Sequence, residues 1–456
     1  MSGSIGRALH LLREPIHPEK KRLMKERWDE LDPRWQLPTQ GYGRQATGCG
    51  ATVGILPKCD FDCTGCYLGE EANRIKPFGL AVARAQLDEL RCYLGPKGNV
   101  QITDGEVTLM PPDELVAVIQ HATKIGLLPM VMTHGDTFRR RPGLLARLVR
   151  EGGLREVSIH VDATQRGRKG YKEVRTETGL MPLRQELAEM IRSVRHETGV
   201  RLRTATTLTI TSENLDEVPQ VVDWCFKNRD VFGFMSFQPM AQVGRTLDHL
   251  EGIKIDDLWD RVGRALAPYG FDPSRKSIIR YGHPDCTRME PMAVYTRNGM
   301  APRVMPVLRE GSAEDEAILS GYFDHGLGGI NFRDDVPLER ACRAVGYFLQ
   351  APGFFLGPVM RWLKGRTAEL GTTPMGFVRD ALSRRAKLDS FTVVSHHFMS
   401  RDEVHTAAGQ ERLAACVFRL PVDGKMLPMC QLNAAGVREE LYARGSATAE
   451  PVLAAN

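Results

Sequence analysis

The chain has 456 residues, a formal net charge of +5, 42% hydrophobic residues and 26% charged residues. This length predicts two to three domains, or one barrel with extensions, and the composition is typical of a soluble globular protein. Such a mild charge gives no indication of nucleic-acid binding. The N-terminal residues turn charged too early for a signal peptide, and no long uninterrupted apolar run suggests a transmembrane helix, so a cytoplasmic location is expected.

Strand and helix patterns alternate along the chain after residue 50. Strands are expected at 51–56, 99–103, 128–135, 156–163, 201–210 and 231–240. Helical patterns of ten to fifteen residues separate them, and about six such units predict a parallel α/β sheet with crossover helices. We expect an N-terminal extension over 1–48, a barrel over 49–285 and a C-terminal α+β domain over 286–456.

Three cysteines stand close together in the segment that follows the first predicted strand. Cys59, Cys63 and Cys66 have the spacing C-x3-C-x2-C. Because cytosolic thiols stay reduced, this grouping favours metal binding or catalysis over disulfides. Thiolates suit zinc or iron–sulfur clusters, but no fourth cysteine or histidine follows at zinc-site spacing. Three thiolates on a four-iron cluster would leave one iron open for a ligand, whereas a zinc site completed from afar is the alternative.

Polar residues fall where the predicted strands end, and the carboxyl ends of barrel strands share one mouth. They are Asp104, Gly105 and Glu106 after the second strand, His160 and Asp162 after the fourth, Thr207 and Thr209 on the fifth, and Gln238 on the sixth. His160 and Asp162 are two residues apart, so they are expected on one face of their strand.

The cysteine spacing resembles that of the radical S-adenosylmethionine (SAM) superfamily. The resemblance implies a partial (β/α)6 TIM-like barrel, a 4Fe–4S cluster on Cys59, Cys63 and Cys66, and SAM bound to the open iron. The segment Asp-Gly-Glu-Val stands where the superfamily has Gly-Gly-Glu-Pro, so Gly105 and Glu106 are expected at the amino end of SAM. Departures are Asp104 in place of the first glycine and Gly65 where an aromatic residue often precedes the third cysteine.

The His-x-Asp pair and the segment "QPMAQVGR" look like one branch of this superfamily. The branch includes methanopterin-methylating enzymes and archaeal tetraether lipid synthases. The resemblance implies that His160 and Asp162 are catalytic, and that His160, Thr207 and Gln238 help to bind SAM, with Gln238 near the adenine.

A second group of cysteines lies in the C-terminal third. The segment "VFRLPVDGKMLPMCQL" predicts a hairpin that brings Cys416 towards Cys430. In the resembled branch, similar elements with Cys286 supply a second iron–sulfur cluster, and three unrelated buried thiols are the alternative. Cys49 and Cys342 are both candidates for a fourth ligand. The histidines His396 and His397 could instead line a substrate cavity.

A mostly apolar segment runs from Val345 to Met360, interrupted by prolines and glycines. Arg361 and Lys364 follow it, and basic flanks suit a membrane surface. A core helix and an interfacial segment both remain open. The interfacial alternative predicts a peripheral contact with the inner face of the membrane.

The resemblance implies a function that composition alone could not give. In the superfamily, an electron from a reductase, flavodoxin or ferredoxin splits SAM to methionine and a 5′-deoxyadenosyl radical, which abstracts hydrogen from an unactivated carbon. We expect methylation or carbon–carbon bond formation on a hydrophobic, lipid-like or isoprenoid-like substrate. A SPASM-type peptide-modifying maturase and a non-catalytic zinc or iron–sulfur protein are the alternatives.

Overall fold

The computed structural model describes residues 2–246, 250–274, 276–329 and 337–447. Within them the chain forms two compact units. The barrel unit comprises 49–265, 285–287 and 393–447, and the second unit comprises 2–48, 266–284 and 288–392 of the described residues. The predicted boundaries after residues 48 and 285 stay a prediction.

The strands are β1 (Cys49–Ala51), β2 (Asn99–Ile102), β3 (Leu128–Thr133), β4 (Glu156–His160), β5 (Arg203–Ile210), β6 (Phe232–Pro239), β7 (Thr287–Arg297), β8 (Arg303–Pro306), β9 (Ala386–His396), β10 (Phe418–Val422) and β11 (Lys425–Pro428). The helices of the first half are α1 (Ser2–Arg13), α2 (Pro18–Glu30), α3 (Leu80–Leu94), α4 (Pro112–Lys124), α5 (Asp136–Arg140), α6 (Leu144–Arg150), α7 (Met181–Thr198), α8 (Val218–Lys227) and α9 (Ile255–Leu266). Those of the second half are α10 (Ala313–Asp324), α11 (Pro337–Gln350), α12 (Pro352–Phe354), α13 (Met360–Glu369), α14 (Pro374–Leu382), α15 (Ala407–Ala414), α16 (Met429–Ala434) and α17 (Val437–Ala447).

In the barrel unit, β1 to β6 lie side by side in chain order, and every neighbouring pair is parallel. Parallel neighbours require crossover connections, which α3, α4, α6, α7 and α8 provide. Apolar residues of the strands, such as Val131 and Ile159, are fully buried. The predicted α/β fold with a partial (β/α)6 barrel is therefore confirmed.

The predicted C-terminal hairpin is present and extends this sheet. β10 pairs parallel with β1 and antiparallel with β11. Asp423 and Gly424 both have positive φ, 49° and 72°, as a two-residue type I′ turn requires. One detail of the prediction is wrong: the second strand ends at Pro428, and Cys430 lies in the first turn of α16.

The first strand is shorter than its apolar run predicts. β1 ends at Ala51, and the chain turns at Gly54, where φ is +72°. The backbone N–H of Gly54 donates to the Asp104 carboxylate over 3.0 Å instead of continuing a strand ladder. A buried side chain has thus replaced a strand neighbour as the hydrogen-bond acceptor.

The second unit contains α1, α2, α10 to α14 and the antiparallel pair β7 and β8. One of its apolar cores gathers Leu327, Tyr347, Ala351 and Phe354. The chain passes from α12 into α13 through a π-helical turn, Phe355–Val359, that contains Pro358. Among the described residues, no helix combines the length and apolar character needed to cross a bilayer.

Candidate active site

The cysteine loop, residues 57–69, lies against the segments that follow β2 and β4. The backbone N–H of Thr64 donates to the Thr164 carbonyl over 3.1 Å, and that of Asp62 donates to the Arg166 carbonyl over 3.0 Å. The backbone N–H of Glu106 donates to the Lys58 carbonyl over 2.7 Å. The loop therefore sits at the carboxyl ends of the parallel strands, where barrel enzymes carry their chemistry.

Each of the three thiols has a backbone N–H directed at its sulfur. Phe61 donates to the Cys59 Sγ over 3.4 Å, Arg166 hydrogen-bonds Cys63, and Leu68 hydrogen-bonds Cys66. Burial raises the pKa of all three thiols, to about 12 at Cys63, and neighbouring thiols raise it further at Cys59 and Cys63. Thiolates crowded in this way need a bound cation to hold them.

The spacing of the sulfurs favours a cluster over a single metal ion. Within the described part of the chain, the ligand atoms of Cys59, Asp60 and His134 approach within 4.8 Å of one another as a set, whereas those of the three cysteines do not. A tetrahedral zinc ion with Zn–S bonds of about 2.3 Å would require a closer grouping of thiolates. An iron–sulfur cluster distributes its thiolates over several iron atoms, so this donor set fits a 4Fe–4S cluster.

Arg245 stands beside the thiols and was missing from the predicted site. Its guanidinium hydrogen-bonds Cys66, and burial, which lowers the pKa of Arg245, is outweighed by the charge of the nearby thiolates, so that the pKa rises. The preceding residue, Gly244, has a φ of +57°, and a Cβ there would lie 2.3 Å from the Tyr67 carbonyl carbon. The end of the β6 segment thus approaches the Cys66–Tyr67 peptide at a distance that only glycine permits.

The segment expected to meet SAM is fixed to the same loop. Gly105 has a φ of +63°, and a Cβ there would lie 2.4 Å from the Lys58 carbonyl oxygen. The Glu106 carboxylate is buried and accepts from the Thr133 hydroxyl over 2.6 Å and from the His134 backbone N–H over 2.8 Å. Both residues therefore hold the turn after β2 against the cysteine loop.

His134 forms a cluster that the sequence analysis did not select. Its Nδ1 accepts from the Asp136 backbone N–H over 3.0 Å, which leaves the proton on Nε2, 2.9 Å from the Asp60 carboxylate. Its ring stacks on Phe61 with centroids 3.8 Å apart, and the guanidinium carbon of the buried Arg168 lies 5.0 Å from the centroid of the Phe61 ring. The position of His134 directly after β3 was the available signal.

His160 and Asp162 come together at the end of β4. The His160 Nε2 lies 2.6 Å from an Asp162 oxygen, and the Thr209 hydroxyl lies 3.3 Å from the same nitrogen. Asp162 is fully buried, whereas the His160 side chain is 32% exposed. The imidazole is thus the accessible member of the pair, and Asp162 orients it.

Thr207 and Gln238 lie on neighbouring strands of the same sheet. Thr207 on β5 pairs with His160 on β4, and its hydroxyl lies 3.0 Å from that of Ser158. Gln238 on β6 is half-buried and pairs with Thr209. The structure therefore brings Thr207 close to His160, with Gln238 one strand further along.

The second cysteine group also converges in the barrel unit. The charge of Cys286 acts on Cys416 and Cys430, and burial raises the pKa of all three, to about 11 at Cys416. Arg412 Nε donates to the Cys286 Sγ over 3.5 Å, and the Met399 backbone N–H donates to the Cys430 Sγ over 3.4 Å. This group repeats the combination of buried or half-buried thiols, a backbone N–H and one arginine.

The neighbours of this group include the predicted histidines and one candidate fourth ligand. Burial lowers the pKa of His396 to about 4, and its Nδ1 lies 3.3 Å from the Thr287 hydroxyl. The His397 backbone N–H donates to the Cys286 carbonyl over 2.8 Å. Cys49 on β1 pairs with Phe418 on β10, and Cys342 belongs to the second unit.

Residues 53–225 match the family model of the radical SAM superfamily. This part of the chain is similar to the radical SAM superfamily. The superfamily consists of enzymes that use a 4Fe–4S cluster and SAM, and the three-cysteine donor set falls inside the matched residues. The predicted class of enzyme and its cofactors are therefore confirmed, whereas the finer branch stays a prediction.

A search of curated proteins finds no significant relative. Among solved structures, the chain resembles native anSMEcpe with bound AdoMet and Cp18Cys peptide, at 12% identity and a TM-score of 0.35 over 48% of this chain and 59% of that one. It also resembles SuiB of Streptococcus suis, at 13% identity and a TM-score of 0.32, over 50% of this chain and 48% of that one. The chain thus spans about half to three fifths of these proteins.

The Asp162 carboxylate generates a prediction about acid stability. Burial would raise its pKa, but His160 and the donors of Thr164 and Thr209 outweigh burial and lower the pKa from 3.8 to about 2. The carboxylate should therefore stabilise the fold by about 2 kcal/mol above pH 4, and this should be lost as the pH falls towards 2. Asp162→Asn should reduce the free energy of unfolding near pH 7 and flatten its decline in that acidic window.

Denaturant unfolding at a series of pH values measures this effect. Asp113→Asn is the matched control, because the Asp113 side chain is 86% exposed. A decline between pH 4 and 2 that is as steep in Asp162→Asn as in the wild type would contradict the assignment.

Proposed function

We propose that this protein is a radical SAM enzyme that cleaves SAM reductively and abstracts hydrogen from an unactivated carbon. The observation that carries the proposal is the set of three half-buried thiols, each with a backbone N–H directed at its sulfur, at the strand ends of the segment that matches the radical SAM family model. When bound, the cluster supplies the electron that splits SAM to methionine and the 5′-deoxyadenosyl radical.

In this scheme the residues of the chain bind the cluster and orient SAM. Cys59, Cys63 and Cys66 hold the cluster, with Arg245 offsetting their charge. The turn of Gly105 and Glu106 meets the amino end of SAM.

Residues on the barrel strands contact the substrate and the nucleoside part of SAM. His160 is the half-buried but accessible group that contacts reactants, and Asp162 holds its ring in place through the 2.6 Å contact. Thr207 lies beside His160 and contributes a hydroxyl to SAM binding, and Gln238 faces the adenine.

For the reaction after hydrogen abstraction we propose methylation or carbon–carbon bond formation on a hydrophobic substrate. Support comes from the exposed apolar side chains of the second unit, which suit an enzyme that meets lipid. A SPASM-type peptide modification is the competing reaction.

We further propose that Cys286, Cys416 and Cys430 hold a second iron–sulfur cluster. The mutual influence of the three thiols and the donors from Arg412 and Met399 support it. Cys49 is the candidate for a fourth ligand within the barrel unit. A closed cluster would transfer electrons, and an open one would bind substrate.

A peripheral membrane contact is the last part of the proposal. Large apolar side chains of the second unit are exposed, including Leu349 at 65%, Leu356 at 67%, Met375 at 78% and Leu382 at 81%. Leu356 and Met360 also line an open cleft of about 420 Å³ whose other walls include Arg361 and Lys364. Apolar groups bordered by cations match the chemistry of an anionic bilayer surface.

The first test is the cleavage of SAM. Anaerobically reconstituted protein with dithionite and SAM should release 5′-deoxyadenosine, whereas Cys63→Ala should release none, because one ligand of the cluster is missing. Chromatography of the nucleoside measures this. Cys92→Ala, which removes an exposed thiol of α3, is the matched control and should keep wild-type release.

Equal nucleoside release from wild type and Cys63→Ala would contradict radical chemistry at this site. With a deuterated lipid extract, deuterium in the 5′-deoxyadenosine would support a hydrophobic substrate. Deuterium arriving only from a deuterated peptide would favour the peptide-modifying alternative.

The second test counts iron. Two four-iron clusters predict about eight irons per chain, and a Cys59/Cys63/Cys66→Ala variant should retain about four. Iron and acid-labile sulfide analysis of the anaerobic protein measures both. A folded triple variant without iron would show that Cys286, Cys416 and Cys430 are structural thiols.

The third test concerns the membrane contact. Co-sedimentation with anionic liposomes should occur and weaken with salt, since each basic side chain near the surface adds about 1 kcal/mol. Leu356→Asp/Met375→Asp should reduce it. Phe354, in the same apolar segment, is not a suitable position for a charged substitution, because it is 8% exposed and belongs to the core.

Met300→Asp provides the matched control, because Met300 is 53% exposed between β7 and β8. Wild-type protein that remains in the supernatant at low salt would contradict the membrane contact. Equal losses of binding in the control and the double variant would contradict the choice of surface.

A further inference from the structure

A buried ion pair joins α17 to the turn that carries Gly105. Asp104 is 1% exposed, and its Oδ2 lies 2.5 Å from Arg438 Nη1. The Tyr442 hydroxyl donates to the same oxygen, as does the Gly54 backbone N–H over 3.0 Å. Asp104 stands where the resembled families have the first glycine of Gly-Gly-Glu-Pro. The position at which this sequence departs from the motif is therefore also the position whose side chain accepts these three hydrogen bonds.

The same arginine reaches the residue that follows the third cysteine. The Arg438 guanidinium carbon lies 4.8 Å from the centroid of the Tyr67 ring, in cation–π contact. Its Nε donates to the Asn433 side chain over 2.8 Å. Arg438 thus contacts Asp104, Asn433 and Tyr67, and Tyr67 is the residue that follows Cys66 in the chain.

Tyr442, one helical turn after Arg438, completes the contact. It is fully buried in an apolar cluster with Leu68, Ala72 and Ile75, against which Cys66 and Tyr67 also pack. Its ring meets Phe78 edge-on with centroids 6.3 Å apart. One face of α17 therefore packs against the C-terminal side of the cysteine loop.

The two contacts act on opposite ends of the cysteine loop. Asp104 precedes Gly105 and Glu106, whose backbone packs on Lys58 beside Cys59. Tyr67 follows Cys66. A displacement of α17 would therefore alter the distance between the SAM-binding turn and the cysteines, which a bound SAM must bridge.

We propose that Arg438 and Tyr442 are positioning residues for SAM: through Asp104 and Tyr67 they fix the turn of Gly105 and Glu106 relative to the cysteine loop. This rests on the proposed function, because it takes that site to hold the cluster and SAM. The charge of Arg438 also matters, since without it the Asp104 carboxylate would lie buried beside the SAM-binding turn with no cation.

The test compares variants of the full chain that carry the reconstituted cluster. Arg438→Met leaves Asp104 unpaired, Asp104→Asn/Arg438→Met removes both buried charges, and Tyr442→Phe removes a single hydroxyl. Arg444→Met is the matched control, because Arg444 lies on the same helix with a 59% exposed side chain. Calorimetry without reductant gives the Kd of SAM, and EPR of rapidly frozen reduced protein gives the spectral shift on SAM binding.

Arg438→Met should weaken SAM binding about tenfold or more, and the EPR shift on SAM addition should shrink or change. The double variant should recover part of the affinity, because neither charge is left without its partner. Tyr442→Phe should weaken binding by a smaller factor, and Arg444→Met should match the wild type.

A purely structural role predicts a different pattern. If Arg438→Met lowers the thermal unfolding temperature while its folded fraction keeps the wild-type Kd and EPR shift, the proposal is overturned. Should Arg438→Met fail to fold, wild-type affinity in both Tyr442→Phe and the double variant would overturn it. Wild-type protein that loads iron but binds no SAM would refute the proposed function, and this inference with it.

Discussion

Negative charge at the strand ends is the constraint on which the candidate active site depends. Three carboxylates act on the three thiols: Glu106 raises the pKa of Cys59, Asp162 that of Cys63, and Asp104 that of Cys66. Each of these acids is buried. Because a thiolate beside an uncompensated buried carboxylate is unfavourable, each acid needs hydrogen-bond donors or a cation beside it before the thiolates can hold a cluster.

The compensating groups come from different parts of the chain. Glu106 accepts from Thr133 and the His134 backbone, and Asp162 accepts from Thr209 and contacts His160. These donors lie on or directly after neighbouring strands, so the parallel sheet itself delivers them. Asp104 is different, since its cation is supplied by a C-terminal helix.

Much of the barrel could be predicted because its determinants are local. Alternating strand and helix periods gave the parallel order, and the cysteine spacing indicated three thiolates without a close fourth ligand. Strand ends were less certain: β1 stops at Ala51, and the backbone N–H groups of Val53 and Gly54 donate to the side chains of Gln86 and Asp104, partners 33 and 50 residues away. Three arginines have roles that depend on contacts between segments far apart in the chain: Arg168, Arg245 and Arg438. Neither the spacing of apolar residues nor a short motif indicates such contacts. His134 could have been predicted from the sequence, because it lies at the end of a predicted strand, as do the residues chosen on the other strands.

The departures from the expected motif are physically connected. A glycine in place of Asp104 would leave Arg438 buried with no carboxylate beside Tyr67, and an unpaired guanidinium in that position is as unfavourable as an unpaired acid. Tyr67, one position after Cys66, provides an aromatic ring next to the third cysteine, whereas Gly65 provides none. Asp104, Tyr67 and Arg438 therefore depend on one another for their burial. The motif at the strand end can be interpreted only together with α17, the helix that packs on it.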